Sequence, residues 1–317
     1  MSVVIPAYNA AEFIAEALAS VFAQTYRDFE VILINDGSPD TLELENAIQP
    51  WRERLIYLTQ ENAGPSAARN AGVRHAHGVY VAFLDSDDQW LPEHLSSQMR
   101  MFEERPELDL VYADLLLFGD IDPPGKTFMQ MCPSAGPVTV DSLISQTCSV
   151  PTSCVVVRRG SAIEAGLFDE RFVRSEDFDL WVRIAHRGGK MAYQTAVRGK
   201  HRLRAGSLAS DHAKLGASAI EVLAKIDRTL DLSESTRALI RAMQDELRAL
   251  DQLERGKRCL SEGDTRAARS HLSEANAFLR RPKLTILLAA LRLAPGAVRL
   301  AMQARNRLAS GRRNGDR

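Results

Sequence analysis

Cysteine is scarce in this chain. Cys132, Cys148, Cys154 and Cys259 show no C-x-x-C spacing, and no histidine or cysteine cluster suggests zinc. The four read as small buried residues of a reduced, cytoplasmic protein. Charge of one sign is missing too: a formal net charge of -1 gives no reason to propose nucleic acid as a partner. No apolar run reaches the ~20 residues of a membrane span. Nor is there a signal peptide, since Met1 leads directly into Val3-Val4-Ile5. The loop after that apolar run, Pro6-Ala7-Tyr8-Asn9, lacks the G-x-G-x-x-G of a dehydrogenase and the basic, glycine-rich loop of a nucleotidyltransferase. A P-loop look-alike from Gly119 to Thr127 has one residue too many between its glycines and carries two prolines, and is rejected. What remains is a chain of 317 residues, 45% hydrophobic and 26% charged, enough for one large α/β domain and a smaller appendage.

The run Tyr80-Val81-Ala82-Phe83-Leu84 stops abruptly at Asp85-Ser86-Asp87-Asp88. An apolar run so short and so rich in β-formers predicts a buried central strand. Its three clustered carboxylates repel one another, and something cationic must offset that. In parallel α/β sheets, ligands sit in the crevice beyond the carboxyl ends of the strands. Oxygen ligands on a tight turn there suit Mg²⁺ or Mn²⁺, held by one or two carboxylates plus substrate phosphates. The plain alternative is a solvated acidic turn capping a helix that begins near Pro92.

Other short apolar runs alternate with helical patterns. Val3-Val4-Ile5 predicts a first strand stopped by Pro6, and Asn9 with Glu12 has the spacing of a capping box for a helix through Phe22. Val31–Ile34, Leu55–Leu58, Leu108–Tyr112 and Ser153–Val157 predict further strands, with Phe118 to Pro137 as a long loop. This alternation argues a mostly parallel sheet with helices on both faces. Three polar loops then converge on one edge, and there Tyr8 can pack beside a base, Asp36 accept from a base N–H, and Arg69 meet a phosphate. Each has a structural alternative: Tyr8 in the core, Asp36-Gly37 as an ordinary turn, Arg69 as a solvated helix residue. Their joint occurrence favours a nucleotide pocket. A second acidic group, Ser175-Glu176-Asp177, opens a helix ending at Gly188-Gly189. Ser175 reads as its N-cap, and the acids suit either the helix dipole or a general base. Lys200, His201, Arg202 and Arg204 read as a basic loop ending in Ser207 and Ser210, placed to screen a diphosphate or simply exposed.

These blocks resemble the inverting glycosyltransferases of family 2, which have a GT-A fold. The resemblance is carried by Val4-Ile5-Pro6-Ala7-Tyr8-Asn9, Asn35-Asp36-Gly37-Ser38, the stretch from Asn62 to Asn70, Asp85-Ser86-Asp87-Asp88, and Gly166-Leu167-Phe168-Asp169-Glu170 ahead of Glu176-Asp177. It implies a Rossmann-like α/β domain over 1–210, a mostly parallel sheet sandwiched by helices, and a helical C-terminal extension over 211–317. It also implies a nucleotide-diphosphate sugar donor, usually UDP-linked, a glycan or lipid-linked acceptor, and a divalent cation. By position, Pro6, Ala7, Tyr8, Asp36, Arg69 and Glu176 would hold the sugar nucleotide, Asp85 and Asp87 would serve ribose and metal, and Asp177 would be the base. Many relatives place a histidine where Arg204 stands here, with His201 earlier. A catalytically silent sugar-nucleotide-binding protein is the competing class, but a binder has no need of Asp177.

Beyond Asp211 the composition turns to Ala, Leu, Arg and Glu. Leu260, Gly263, Ala268, Leu272 and Ala275 predict one helical hairpin, with no chemistry of its own. From Arg280 the chain becomes basic, with Lys283, Arg292, Arg299, Arg305, Arg307, Arg312 and Arg313 interleaved with leucines. Two readings stand: a terminal helix packed on the domain, or an amphipathic tail on the anionic inner face of the cell membrane.

Overall fold

The computed structural model describes residues 1–120, 125–204, 207, 211–296 and 298. The chain first forms β1 (Ser2–Ala7), α1 (Ile14–Phe22), β2 (Glu30–Asp36), α2 (Thr41–Ile48), β3 (Leu55–Gln60), α3 (Gly64–His75), β4 (Tyr80–Phe83), β5 (Gln89–Trp90) and α4 (His94–Glu104). Next come β6 (Leu108–Gly119), α5 (Phe128–Met131), α6 (Val140–Ile144), β7 (Val155–Arg158), α7 (Arg159–Glu164), α8 (Glu176–His186) and β8 (Lys190–Leu203). Four helices follow: α9 (His212–Thr229), α10 (Glu234–Glu262), α11 (Thr265–Leu279) and α12 (Pro282–Leu293).

The strands make one sheet in the order β3-β2-β1-β4-β7-β6-β8-β5. The first four are parallel, as are β6 and β8, while β7 and β5 run against their neighbours. This is the expected mostly parallel α/β sheet, and its apolar strands follow from burial on both faces. Val3 and Ile5 of β1 share a core with Ile14 and Leu18 of α1. Val4 faces the other way, where α3 lies so close that a Cβ at Gly72 would collide with it. Residues Met1–Asp211 and Val222–Leu239 form one compact unit; the other draws on His212–Glu221 and the chain from Ile240 on. In that second unit Leu253, Leu260, Ala268, Leu272, Ala275, Leu284 and Leu291 pack together, so the expected hairpin exists as α10 and α11. No described helix is long and apolar enough to cross a membrane.

Several local expectations fail for identifiable reasons. Asn9 is not a cap: it is left-handed (φ 50), its N–H donates to Ser38 Oγ at 2.6 Å, and α1 starts only at Ile14. Pro6 lies inside β1 rather than stopping it, beyond Val4, where pairing to β4 has already ended. Ser175 precedes α8 but is also left-handed (φ 58), with no side-chain capping bond. Lys200, His201 and Arg202 belong to strand β8 rather than a loop, because β8 continues alongside β6 as far as Gly119–Leu203. The stretch read as a long loop after Phe118 contains α5, with a Thr127–Gln130 capping box. Of the cysteines, Cys148 and Cys154 are buried but Cys132 is exposed. Residues 121–124 of the P-loop look-alike, Ser210 and the tail arginines from Arg299 on lie outside the described residues.

Candidate active site

Because β2, β1 and β4 are parallel neighbours, the loops after them emerge on one edge of the sheet. The first two are tied together by the Asn9–Ser38 bond and by Asp40 Oδ2, which accepts from Ala11 N at 2.8 Å. Pro6 and Ala7 end β1, and Ala7 is fully buried. Tyr8 is 50% exposed, so it is not a core residue. Asp36 is buried at the end of β2 and its carboxylate faces inward. Oδ1 accepts from Gln60 Nε2 at 2.7 Å and Ala63 N at 2.9 Å, and Oδ2 from Gly64 N at 2.9 Å. It therefore caps α3, whose first N–H groups and dipole favour an anion. Gly37 beside it needs its left-handed φ of 62, and a Cβ there would lie 2.6 Å from Asn62 N.

Arg69, on α3, is no solvated helix residue. Its guanidinium is buried and bridges the two acidic groups, with Nη2 2.7 Å from Asp85 Oδ1 and Nη1 2.6 Å from Glu176 Oε1. The bridge leaves one positive charge for two carboxylates. Burial raises the Asp85 pKa, but Arg69 outweighs it and holds that group below its usual range. Glu176 goes the other way: burial and then the neighbouring Asp177 outweigh Arg69 and raise it to about 7. Arg69 Nε is buried without a hydrogen-bond partner.

The acidic turn divides into an outer and an inner part. Asp88 is fully buried and structural: Oδ2 lies 2.9 Å from His201 Nδ1, and Oδ1 accepts from Arg202 N at 2.8 Å. The pairing of β5 with β8, Gln89 opposite Lys200, brings these two segments together. Burial alone would lower the His201 pKa, but Asp88 raises it to about 9. Asp87 remains on the outer side, with Oδ2 2.9 Å from Arg204 Nε. Burial, then Asp88 and Asp85, push its pKa above the usual carboxylate range despite Arg204.

Among the described residues no group of three or more His, Cys, Asp or Glu side chains is arranged to hold a metal ion. The donor set still fits a divalent cation. Asp85 and Asp87 each commit one oxygen to an arginine, leaving the other outside those pairs, and burial with the neighbouring carboxylates keeps Asp87 above its usual range. Two carboxylates with substrate phosphates are a usual way of holding Mg²⁺.

Asp177, one residue into α8, is half-buried, and its Oδ2 accepts from Thr152 Oγ1 at 2.6 Å. Thr152 was not visible as a site residue in the sequence. It sits just before β7, and only because β7 is antiparallel does the start of that strand fall at the edge where the parallel strands end. Its neighbour Ser153 accepts from Asp85 N at 3.1 Å, so the segment touches both acidic groups. Asp85, Arg69, Glu176 and Asp177 are thus connected, while no contact joins Tyr8 or Asp36 directly to them among the bonds described.

Residues 2–122 match the model of glycosyl transferase family 2. An uncharacterized glycosyltransferase of Rickettsia conorii is 33% identical over 185 residues, 58% of this chain and 30% of its own. The amylovoran biosynthesis glycosyltransferase AmsB of Erwinia amylovora is 31% identical over 202 residues, 60% of this chain and 65% of that protein. The chain therefore spans less than two-thirds of the length of either relative. Among solved structures, S. aureus TarS 1-349 in complex with UDP-GlcNAc aligns over 97% of this chain and 91% of its own, with a TM-score of 0.59 and 18% identity. The mannosyltransferase PcManGT from Pyrobaculum calidifontis, in complex with GDP-Man and Mn²⁺, aligns over 96% and 86%, with a TM-score of 0.62 and 18% identity. At such identities the likeness is one of fold. Residues 2–122 thus resemble glycosyl transferase family 2, and the fold is that of the GT-A glycosyltransferases.

Proposed function

We propose that this protein is an inverting glycosyltransferase that moves a sugar from a nucleotide-diphosphate donor, a UDP-sugar first among them, to a hydroxyl of a glycan or lipid-linked acceptor. The observation that carries this is the pairing, through one buried guanidinium, of the Asp85 turn with the start of α8, where Asp177 is held by Thr152. Asp177 takes the proton of the acceptor hydroxyl as that oxygen attacks the anomeric carbon. Arg204 is the cation on the outer side of the turn and can stabilise charge developing on the leaving diphosphate. Asp85 and Asp87 would hold a divalent cation, Mg²⁺ or Mn²⁺, which when bound supplies further charge stabilisation at the diphosphate. Tyr8, Pro6, Ala7 and Asp36 form the nucleotide side, with Asp36 acting through the loop it fixes.

Nucleotide-sugar donors are consistent with the UDP-GlcNAc and GDP-Man complexes of the two solved structures of the same fold, and a cell-surface polysaccharide or glycolipid product with the role of AmsB in amylovoran biosynthesis. The test is a donor screen: full chain, Mn²⁺ or Mg²⁺, a panel of UDP- and GDP-sugars, and nucleotide release with added glycan acceptors. Release dependent on acceptor supports transfer; donor binding without turnover across the panel would favour the silent binder. In the same assay Asp87→Ala is expected to lower turnover by about 10²–10³-fold, the range for removing a group that stabilises developing charge. Unchanged turnover at the same cation concentration would refute the assignment of Asp87.

A second observation bears on where the protein works. On α12, Ile286 is 70% and Leu293 87% exposed, beside exposed Ala289 and the cations Arg281, Lys283 and Arg292. An exposed apolar stripe flanked by arginines and lysine suits the interface of an anionic bilayer, each cation near the surface adding about 1 kcal/mol. Peripheral attachment to the inner membrane face is the reading we adopt. The full chain should co-sediment with phosphatidylserine vesicles at low salt, and Ile286→Asp with Leu293→Asp should release it. Equally poor sedimentation of the native chain on anionic and neutral vesicles would contradict attachment.

A further inference from the structure

The start of α8 is not held by its own cap, since Ser175 makes no side-chain capping bond. It is held from outside. Glu176 is tied by Arg69, Asp177 by Thr152, and Asp179, in the same first turn, by Lys225 of α9. Lys225 lies far beyond the family match, in a helix whose sequence suggests packing alone, yet the chain from Val222 to Leu239 belongs to the same compact unit as the sheet.

The surroundings of Lys225 are unusual for a packing residue. Its Nζ lies 2.7 Å from Asp179 Oδ1, 2.8 Å from Asp179 Oδ2 and 2.9 Å from Asp169 Oδ2. All three N–H donors of an ammonium therefore have carboxylate acceptors. Asp179 is fully buried and also receives Arg183, which donates onward to the carbonyls of Ala165 and Leu167. Asp169 lies in the loop whose neighbouring Phe168 and Glu170 are bonded to Asn70, next in sequence to Arg69. Lys225 thus clamps the loop from Gly166 to Glu170 onto α8, and the same loop and helix also meet at Arg69, which lies 5.5 Å from the Phe168 ring centroid and pairs with Glu176.

We propose that Lys225 is a positioning residue: by bridging Asp169 to Asp179 it fixes the first turn of α8, and with it Asp177, at the place where the acceptor hydroxyl must arrive. This rests on Asp177 being the base. Without Lys225, among the described residues Asp179 keeps the ion pair with Arg183, and Asp169 the one with Arg171, whose side chain is 72% exposed. Loop and helix then carry two facing carboxylates without the ammonium between them, and Arg183 with the carbonyls of Ala165 and Leu167 is left to hold the loop to α8.

The experiment compares the native full chain with Lys225→Met, Lys225→Arg and Asp169→Asn. Three readouts are taken: kcat with the donor found in the screen, UDP affinity by calorimetry, and amide exchange of the 165–180 segment. Lys225→Met is expected to lose about 10²-fold in kcat, the scale for misplacing a reacting group by about 1 Å. UDP affinity should stay unchanged, exchange in the segment should rise, and Lys225→Arg should restore most of the rate. If Lys225→Met does not fold, Asp169→Asn, which leaves Asp179 fully paired, carries the test and should move kcat and exchange in the same direction. Native kcat and native exchange in a folded Lys225→Met, or in Asp169→Asn where that variant carries the test, overturn the proposal. So does a loss of UDP affinity that accounts for the whole effect. An inactive native chain would instead overturn the transferase reading, and the exchange readout would still decide whether Lys225 holds α8.

Discussion

Asp177→Asn is expected to bind UDP as the native chain does and to lose transfer by up to about 10⁴-fold, the upper range for removing a general base. The amide keeps the shape of the carboxylate: its oxygen can accept from Phe178 N, now 2.7 Å from Oδ1, and its NH2 can donate to Thr152 Oγ1, now 2.6 Å from Oδ2. What it cannot do is take a proton. The donor side should be untouched, because Asp85 and Asp87 lie in a different segment and keep their ion pairs with Arg69 and Arg204, which the substitution leaves in place. Calorimetry with UDP and turnover with donor and acceptor separate the two effects. Loss of UDP binding in a folded variant would make Asp177 a binding residue.

Arg69→Met should be costly to stability and to activity together. Breaking a buried ion pair by removing one partner costs about 3–5 kcal/mol, because the remaining charges stay buried and unpaired. Here two carboxylates are left, Asp85 and Glu176. For a domain of this size each kcal/mol shifts Tm by about 2–4 °C, so a fall on the order of 10 °C is expected at neutral pH. The pH dependence has a definite sign. Glu176 is raised in the folded state to about 7, so the stability its protonation contributes is present below its unfolded value and lost as pH rises through about 7. Asp85, held low by Arg69 in the native chain, loses that support in the variant and adds to the same trend. The deficit of Arg69→Met should therefore narrow as the pH is lowered from about 8 toward about 5, within the window where these carboxyls protonate. A calorimetric Tm deficit that is absent, or that widens on acidification, would contradict the bridging role.

The strands of the parallel half were legible because each is a short apolar run buried on both faces, as in β1, β2 and β4. The end of β8 was not. Its residues from Lys200 to Leu203 are three basic side chains in a row and a leucine, only half-buried, and they become strand through pairing with β6. No local pattern encodes that. Capping failed at Asn9 and Ser175 for a single reason: both adopt positive φ, which the residue type permits but does not announce.

At the site, the carboxylates could be read from composition and position, since acidic residues closing an apolar strand demand an explanation. Their partners could not. Arg69 meets Glu176 across 107 positions, and Lys225 meets Asp179 across 46. Thr152 faces Asp177 only through the reversed direction of β7. Arg69 was visible as a site residue by motif, but the acidic pair that it bridges was visible only once α3, β4 and α8 were in place. Asp36 likewise stood out in its motif, whereas its service as the cap of α3 depends on the approach of Ala63 and Gly64.

With Asp177 as base, the proposed transfer is a single displacement with no covalent sugar–enzyme intermediate. The most direct measurement is the anomeric configuration of the first-formed product, read by proton NMR during transfer by the full chain from an α-linked nucleotide sugar. A β-linked product is expected; an α-linked product would require two displacements or attack from the leaving-group face, and would contradict the account.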